Sequence, residues 1–367
     1  MMNPETTSRL TVEVSRKVAY GSDAITRLPA ICSSLGFKNI ILVSGSSFSR
    51  DIVVNEVRPL IVDKFQIFRH EVSGDRDAIA GIAELKEQPM SGDNRAVFVA
   101  VGGGKVMDMV KVASFHKKIP WISVPTSASH DGFSSPFINF ILRERLKKEG
   151  LPIPKTTPPV AIIGDTTLIA RAPFEHVIAG VGDLLAKFVA VKDWELAHRI
   201  RGEPFDEYAA AFGLLSARIV EEGYPIIALG KEPGIRLVVK ALGNSGVAMS
   251  IAGSTRPASG SEHLISHYFD HLAYNEKRIQ AGRHGYQVGV ATIFSTYLQG
   301  GNWKKIVHIL KAVGHPTSFN KLGFDNDIIL EAVTRAHTIR PERYTILGNG
   351  LTKQAAMTAL EETGVAE

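Results

Sequence analysis

Apolar and polar positions follow two rhythms along this chain. Up to about residue 167, short and nearly unbroken apolar runs alternate with amphipathic stretches. Asn39-Ile40-Ile41-Leu42-Val43 stops at Ser44-Gly45-Ser46-Ser47, and Ala96 to Val101 stops at three glycines. Trp121-Ile122-Ser123-Val124 ends at Pro125, and Val160-Ala161-Ile162-Ile163-Gly164 ends at Asp165. Runs apolar at every position read as strands buried on both faces, so the pattern predicts a largely parallel sheet with crossover helices. Ligands of such sheets sit beyond the carboxyl ends of the strands.

From about residue 168, apolar positions recur at helical spacing and strand signals vanish. Helices are expected over Leu184 to Ile200, Phe205 to Glu222, Glu262 to Tyr274 and Gly289 to Leu298, separated by turns such as Gly202-Glu203-Pro204. The expected organisation is therefore an α/β, Rossmann-like nucleotide-binding domain over 1–167 and an all-α domain over 168–367. Between Arg143 and Pro159 a charged run with prolines suits a projecting loop or hairpin near the junction.

Composition narrows the function classes. With 367 residues, 44% of them hydrophobic, each half can bury its own core. Cys32 is the only cysteine, which rules out an internal disulfide and a thiolate metal cluster and points to a reducing, cytoplasmic compartment. Met1 to Arg9 lacks the basic and apolar regions of a secretory signal, and the later apolar runs are too short or interrupted for membrane insertion. The net charge of +5 raises the question of nucleic acid. The basic residues are scattered, however, without an aromatic-basic repeat, so no nucleic-acid partner is expected and an anionic small substrate explains the charge equally well.

Two loops offer cofactor chemistry. Gly102-Gly103-Gly104-Lys105-Val106-Met107-Asp108 lies between a buried strand and a helix whose Val106, Met109, Val110 and Ala113 recur at helical spacing. Glycines let the backbone approach a pyrophosphate, and the free amides of the following helix stabilise its charge. Neither G-x-G-x-x-G nor Walker A spacing is present, and three glycines after a strand also make a simple tight turn. The loop Thr126-Ser127-Ala128-Ser129-His130-Asp131-Gly132-Phe133-Ser134-Ser135-Pro136 crowds hydroxyls around one carboxylate. It suits a polyhydroxylated ligand, although the same residues also cap helices and satisfy turns.

A metal reading rests on Asp183, His263 and His284. Two imidazoles and a carboxylate suit Zn²⁺ and leave a fourth position open for a substrate oxygen. Spacing alone does not select these three among 12 histidines and 37 acids. His263, His267 and His271 do share one helical face, which is either a site or a polar stripe toward solvent or a second subunit.

Taken together and in this order, these motifs, with Gly180-Val181-Gly182-Asp183, Ser259-Gly260-Ser261-Glu262-His263, Gly282-Arg283-His284-Gly285 and Arg340-Pro341-Glu342-Arg343-Tyr344-Thr345-Ile346-Leu347, resemble the iron-containing alcohol dehydrogenase and dehydroquinate synthase superfamily. The resemblance is strongest to its sn-glycerol-1-phosphate dehydrogenase branch. It implies a dehydroquinate synthase-like fold with NAD(H) or NADP(H) in a cleft between the two halves. Gly103, Gly104, Lys105, Val106 and Met107 are then expected along the dinucleotide phosphates. Thr126, Ser127, Ala128 and Ser129 fall toward the nicotinamide, with Ser135 also at the cofactor. Asp183, His263 and His284 match zinc ligands, Asp131, Asp183 and His267 match substrate-binding positions, and Asp183 and His267 are the catalytic pair. Ser47 stands where relatives often carry threonine.

The reaction implied is reduction of dihydroxyacetone phosphate to sn-glycerol 1-phosphate, the backbone of archaeal membrane lipids. Zinc is expected to polarise the carbonyl, Asp131 to orient the terminal hydroxyl, and bound water or His267 to deliver a proton. Lys187, Arg283 and Arg343 are cationic candidates for the substrate phosphate. A glycerol or other polyol dehydrogenase is the alternative within the superfamily, and members commonly form homo-oligomers. A lyase of the dehydroquinate synthase kind requires more cations around its substrate than the sequence reveals. A binding or regulatory protein that has lost catalysis does not fit an intact ligand set.

Overall fold

The computed structural model describes residues 11–45, 47–72, 78–87 and 95–366. The amino-terminal residues read above for a signal, and Ser46 of the first turn, lie outside this set. Six strands, β1 (Lys17–Gly21), β2 (Asn39–Ser44), β3 (Gln66–Glu71), β4 (Ala96–Gly102), β5 (Trp121–Pro125) and β6 (Ala161–Asp165), form one sheet in the order β1-β6-β5-β4-β2-β3. Every pairing is parallel. The four apolar runs are the central strands. β1 and β3 are the edges, and both carry exposed positions, so neither shows an unbroken apolar run.

Alternation of side chains separates the core into two faces. Ile40, Leu42, Val97, Val99, Val101, Ile122 and Val124 pack with Leu28, Ile31 and Cys32 on one side. Ile41, Val43, Phe98, Ala100 and Trp121 point to the other, where they join a cluster that continues into the helical half through Val181, Leu184, Val238 and Leu242.

The helices that build the site are α1 (Gly104–Lys117), α2 (Phe140–Lys148), α3 (Glu175–Leu185), α4 (Lys187–Arg201), α5 (Glu207–Ile227), α6 (Glu232–Ala252), α7 (Ser261–Tyr274) and α8 (His284–Leu298). Helix α6 is long and apolar enough to cross a membrane, yet 56% of its apolar window is buried in the protein, as in a core helix.

Two sequence expectations are corrected. The segment after Arg143 does not project as a loop: α2 begins before it, capped by Asn139 accepting from the Leu142 amide at 2.7 Å. Beyond α2 the chain runs back along the protein, where the Trp121 indole donates to the Thr157 carbonyl at 3.0 Å. The expected helix from Leu184 is two helices broken at Ala186, and α3 starts nine residues earlier, at Glu175. Gly180 and Gly182 are therefore interior to a helix, where glycine usually weakens it. Here it admits close crossings. A Cβ on Gly180 would collide with the Ala128 carbonyl, and one on Gly182 with the Gly285 carbonyl and the His315 ring.

Candidate active site

The glycine crossing brings the carboxyl end of α3 onto the first turn of α8, so Asp183 and His284 face each other. Helix α7 completes the group. One ligand atom each from Asp183, His263 and His284 lie within 4.8 Å of one another. His263 Nε2 is 3.4 Å from Asp183 Oδ1, and the His263 and His284 ring centres are 5.2 Å apart.

Neighbours set the orientation of both rings. His263 Nδ1 lies 2.7 Å from the buried Glu262 carboxylate, which accepts its proton and leaves Nε2 toward Asp183. Ser266 donates its hydroxyl proton to Gln287 Oε1 at 2.8 Å, so toward His284 Nδ1, 3.2 Å away, it can only accept. His284 Nε2 therefore carries a lone pair. Asp183 Oδ1 is buried and makes no hydrogen bond among the described residues, though the Lys187 ammonium lies 3.3 Å away. Two imidazole lone pairs and a carboxylate oxygen around one point fit a divalent cation.

A second feature was not legible beforehand. The fully buried Lys187 ammonium lies 2.9 Å from Asp131 Oδ2 and 3.3 Å from Asp183 Oδ1. Burial disfavours its charge, but the two carboxylates prevail and hold its pKa above the ordinary value. Burial likewise opposes ionisation of Asp183, and Lys187, then His263 and His284, pull that carboxyl far below the usual range. Lys187 is thus a structural counter-ion and does not fit a phosphate clamp. Asp131 also accepts from Ser245 Oγ at 2.7 Å, while its amide donates to Asp183 Oδ2 at 3.2 Å. One Asp131 oxygen, Oδ1, remains for a ligand.

His267 stands one helical turn beyond His263, its ring stacked on Phe140 at 4.4 Å and 6.0 Å from the His284 ring. Burial, and next the charges of His263, His284, Arg340 and Arg343, hold its pKa well below that of free imidazole. Burial also lowers His284, to about 3. His271 continues the stripe but turns away to Glu276 at 3.0 Å. The stripe thus faces the cavity at two positions and makes a surface contact at the third.

The glycine turn opens α1 beside this group. Gly103 caps α1 in extended conformation and has no side chain to cap it, which leaves the positive end of the helix dipole open to a ligand. A Cβ on Gly104 would sit 2.5 Å from His130 Nε2. His130, singled out by no sequence argument, packs between this turn and His284, 6.3 Å from the latter's ring centre. Val106 and Met107 are buried in the core, so only their amides can face a ligand. Lys105 is exposed. Thr126, Ala128 and Ser135 are buried, and Ser127 and Ser129 half-buried, in the loop after β5. Ser135 Oγ is engaged with the backbone of Phe137 and lines the same cavity as Asp131, His263, His267 and His284. That cavity has a volume of about 490 Å³, enough for a small substrate. Of the cations considered for a phosphate, Arg283 is exposed beside His176, and Arg343 is buried, donating to the Ser259 carbonyl and to Thr255 Oγ1.

Comparison with known proteins agrees with this geometry. Residues 19–173 match the family described as iron-containing alcohol dehydrogenase. The chain is 44% identical over 355 residues to a glycerol-1-phosphate dehydrogenase (NAD(P)+) of Caldivirga maquilingensis, covering 96% of this chain and 97% of that one. The Pyrococcus furiosus protein of the same name is 44% identical over 356 residues, covering 96% and 99%. Among solved structures, glycerol dehydrogenase from Schizosaccharomyces pombe superimposes with a TM-score of 0.72 at 19% identity, covering 97% and 93%, which shows the shared fold. With near-complete coverage at this identity, and with Asp183, His263 and His284 gathered at one point, the chain belongs to the glycerol-1-phosphate dehydrogenase family.

Proposed function

We propose that this protein is an NAD(P)-dependent sn-glycerol-1-phosphate dehydrogenase that reduces dihydroxyacetone phosphate, supplying the glycerol backbone of archaeal-type phospholipids. The observation that carries the reading is the convergence of Asp183, His263 and His284 at one point, with both histidines lining the cavity, beside a glycine-opened helix. Relatives at 44% identity over 96% of the chain support it.

A divalent ion held by Asp183, His263 and His284 supplies Lewis-acid polarisation of a carbonyl, and the N2O donor set favours zinc. A nicotinamide cofactor supplies the hydride. The chain's own groups do the rest. Amides at Gly103, Gly104, Lys105, Val106 and Met107 receive the dinucleotide phosphates on the dipole of α1. Thr126, Ser127, Ala128, Ser129 and Ser135 line the nicotinamide side. Asp131, with Oδ2 occupied by Lys187 and Ser245, accepts a substrate hydroxyl at Oδ1. His267 Nδ1, buried without a hydrogen bond, meets the substrate. Held neutral, this imidazole relays a proton from solvent by gaining one at one nitrogen as it yields the other.

The reading carries two domains meeting near residue 167, a homo-oligomer, and a cytoplasmic setting in which buried Cys32 stays a thiol. Burial pushes that thiol up to about 12, which suits an inert core residue. Exposed Ile200, Tyr208, Leu215 and Leu229 support self-association. Steady-state assay tests the function. NADH or NADPH consumption should be far more efficient with dihydroxyacetone phosphate than with dihydroxyacetone, and the product should be the sn-1 enantiomer. Equal efficiency on both ketones would favour a polyol dehydrogenase.

A further inference from the structure

The cavity is lined by more than the groups used so far, and three of the others are hydrogen-bond donors. Arg143 on α2 is half-buried and lines the cavity; its guanidinium makes no hydrogen bond or close ion pair among the described residues, though its charge is felt by Glu342 and Arg340. Arg340, which also lines it, spends only Nε, on Glu342 at 3.0 Å, and both terminal nitrogens are left without an acceptor among the described residues. Thr255 lines the same region. Its Oγ1 accepts from Arg343 at 2.8 Å, so its proton points elsewhere, and none of the described residues receives it.

Each group is a donor without a protein acceptor among the described residues, and all three line the one cavity. Arg343 reinforces the arrangement from behind. It is 7% exposed, and its donors go to a carbonyl and a hydroxyl, with no carboxylate in direct contact. Such a cation is costly to bury unless an anion completes the site. Glu342 and Glu144 also line the cavity; Glu342 takes the Arg340 Nε and is coupled to the Arg143 charge, and Glu144 holds Lys147 at 2.6 Å, so neither hydrogen-bonds the terminal nitrogens of the two arginines. His263, His267 and His284 line the same cavity.

We propose that Arg143, Arg340 and the Thr255 hydroxyl clamp the phosphate of the substrate, with Arg343 orienting Thr255 from behind. This subsite rests on the reading of the protein as a reductase of a phosphorylated ketone and supplies its specificity. A phosphoryl group is acceptor-only at its oxygens, multiply charged and able to take a guanidinium fork. In dihydroxyacetone phosphate it lies three bonds from the carbonyl carbon, so one end of the cavity takes the reacting carbon and the other takes the charge. An unphosphorylated ketone leaves all three donors unmet, which discriminates against it.

The test compares wild type with Arg143→Gln, Arg340→Gln and Thr255→Val, measuring kcat/KM for dihydroxyacetone phosphate and for dihydroxyacetone, and inhibition by inorganic phosphate against each ketone. In wild type the phosphorylated ketone should be favoured by at least about 100-fold. Each arginine variant should lose about 10- to 100-fold of that ratio, and the inhibition constant for inorganic phosphate should rise at least about tenfold. Thr255→Val should show a smaller loss in the same direction. Thermal unfolding of each variant confirms the fold. Wild type with no preference for the phosphorylated ketone would defeat the functional reading. A wild-type preference that survives in folded Arg143→Gln and Arg340→Gln, with unchanged phosphate inhibition, would overturn the clamp alone.

Discussion

Replacing Lys187 by methionine keeps the side chain's length and apolar stem and removes one buried charge. In the native site the ammonium has two carboxylate partners, at 2.9 Å and 3.3 Å. With an effective dielectric constant near 20, each contact is worth about 5 kcal/mol of gross Coulomb attraction. Desolvation of the ammonium offsets much of this, and breaking one side of a buried ion pair costs about 3–5 kcal/mol net. In metal-stripped protein Lys187→Met should therefore lower unfolding free energy by about that amount in chemical denaturation, because Asp131 and Asp183 are left facing each other without a cation. If charge balance is the cause, Asp131→Asn should relieve part of the loss. The double variant should then be more stable than the sum of the singles predicts, with a coupling of at least about 1 kcal/mol. Strict additivity, or a Lys187→Met protein as stable as wild type, would refute the assignment of Lys187 as the counter-ion of the site.

Two further outcomes follow from the geometry. Gly104→Ala puts a methyl group against the His130 ring, so the KM for NAD(P)H should rise about tenfold while the KM for the ketone changes little; equal changes in both would place the glycine turn outside the cofactor site. Burial pushes the Asp270 carboxyl up to about 7, against the opposing effects of Gln287 and His263. Its folded pKa thus exceeds the unfolded 3.8, so its contribution is fully present below the unfolded pKa and is lost as pH rises through about 7. In metal-stripped protein, Asp270→Asn should gain on wild type by up to about 4 kcal/mol between pH 4 and pH 8 in urea unfolding, and parallel stability curves for the two proteins would contradict the shift.

The strands legible in the sequence were those buried on both faces, because an unbroken apolar run needs no partner to be read. The edge strands β1 and β3 alternate with exposed positions and carry no such signal. The start of helix α3 was missed because two glycines, Gly180 and Gly182, weaken the helical signal ahead of Leu184, whereas their role is to let the Ala128 and Gly285 carbonyls approach. That is a tertiary reason, invisible to local propensity. The ligand trio was nameable only through resemblance, since its members lie far apart in the chain. His130 and Arg143 escaped, and Lys187 was read only as a candidate phosphate cation, for the complementary reason. A lysine inside an amphipathic helix gives no sign of its neighbours, and only the fold shows that Lys187 is buried between two carboxylates. The charged run after residue 140 looks like a loop, and only the fold shows that Arg143 lines the cavity.

The central claim is that Asp183, His263 and His284 hold one divalent ion without which the ketone is not reduced. Elemental analysis of the purified protein by mass spectrometry, run beside Asp183→Ala, His263→Ala and His284→Ala, tests it most directly. The account predicts close to one zinc per wild-type chain, a loss to below about a tenth in each variant, and turnover that disappears with chelation and returns with added zinc. A metal-free wild-type chain that still turns over, or variants that keep a full complement of metal, would contradict it.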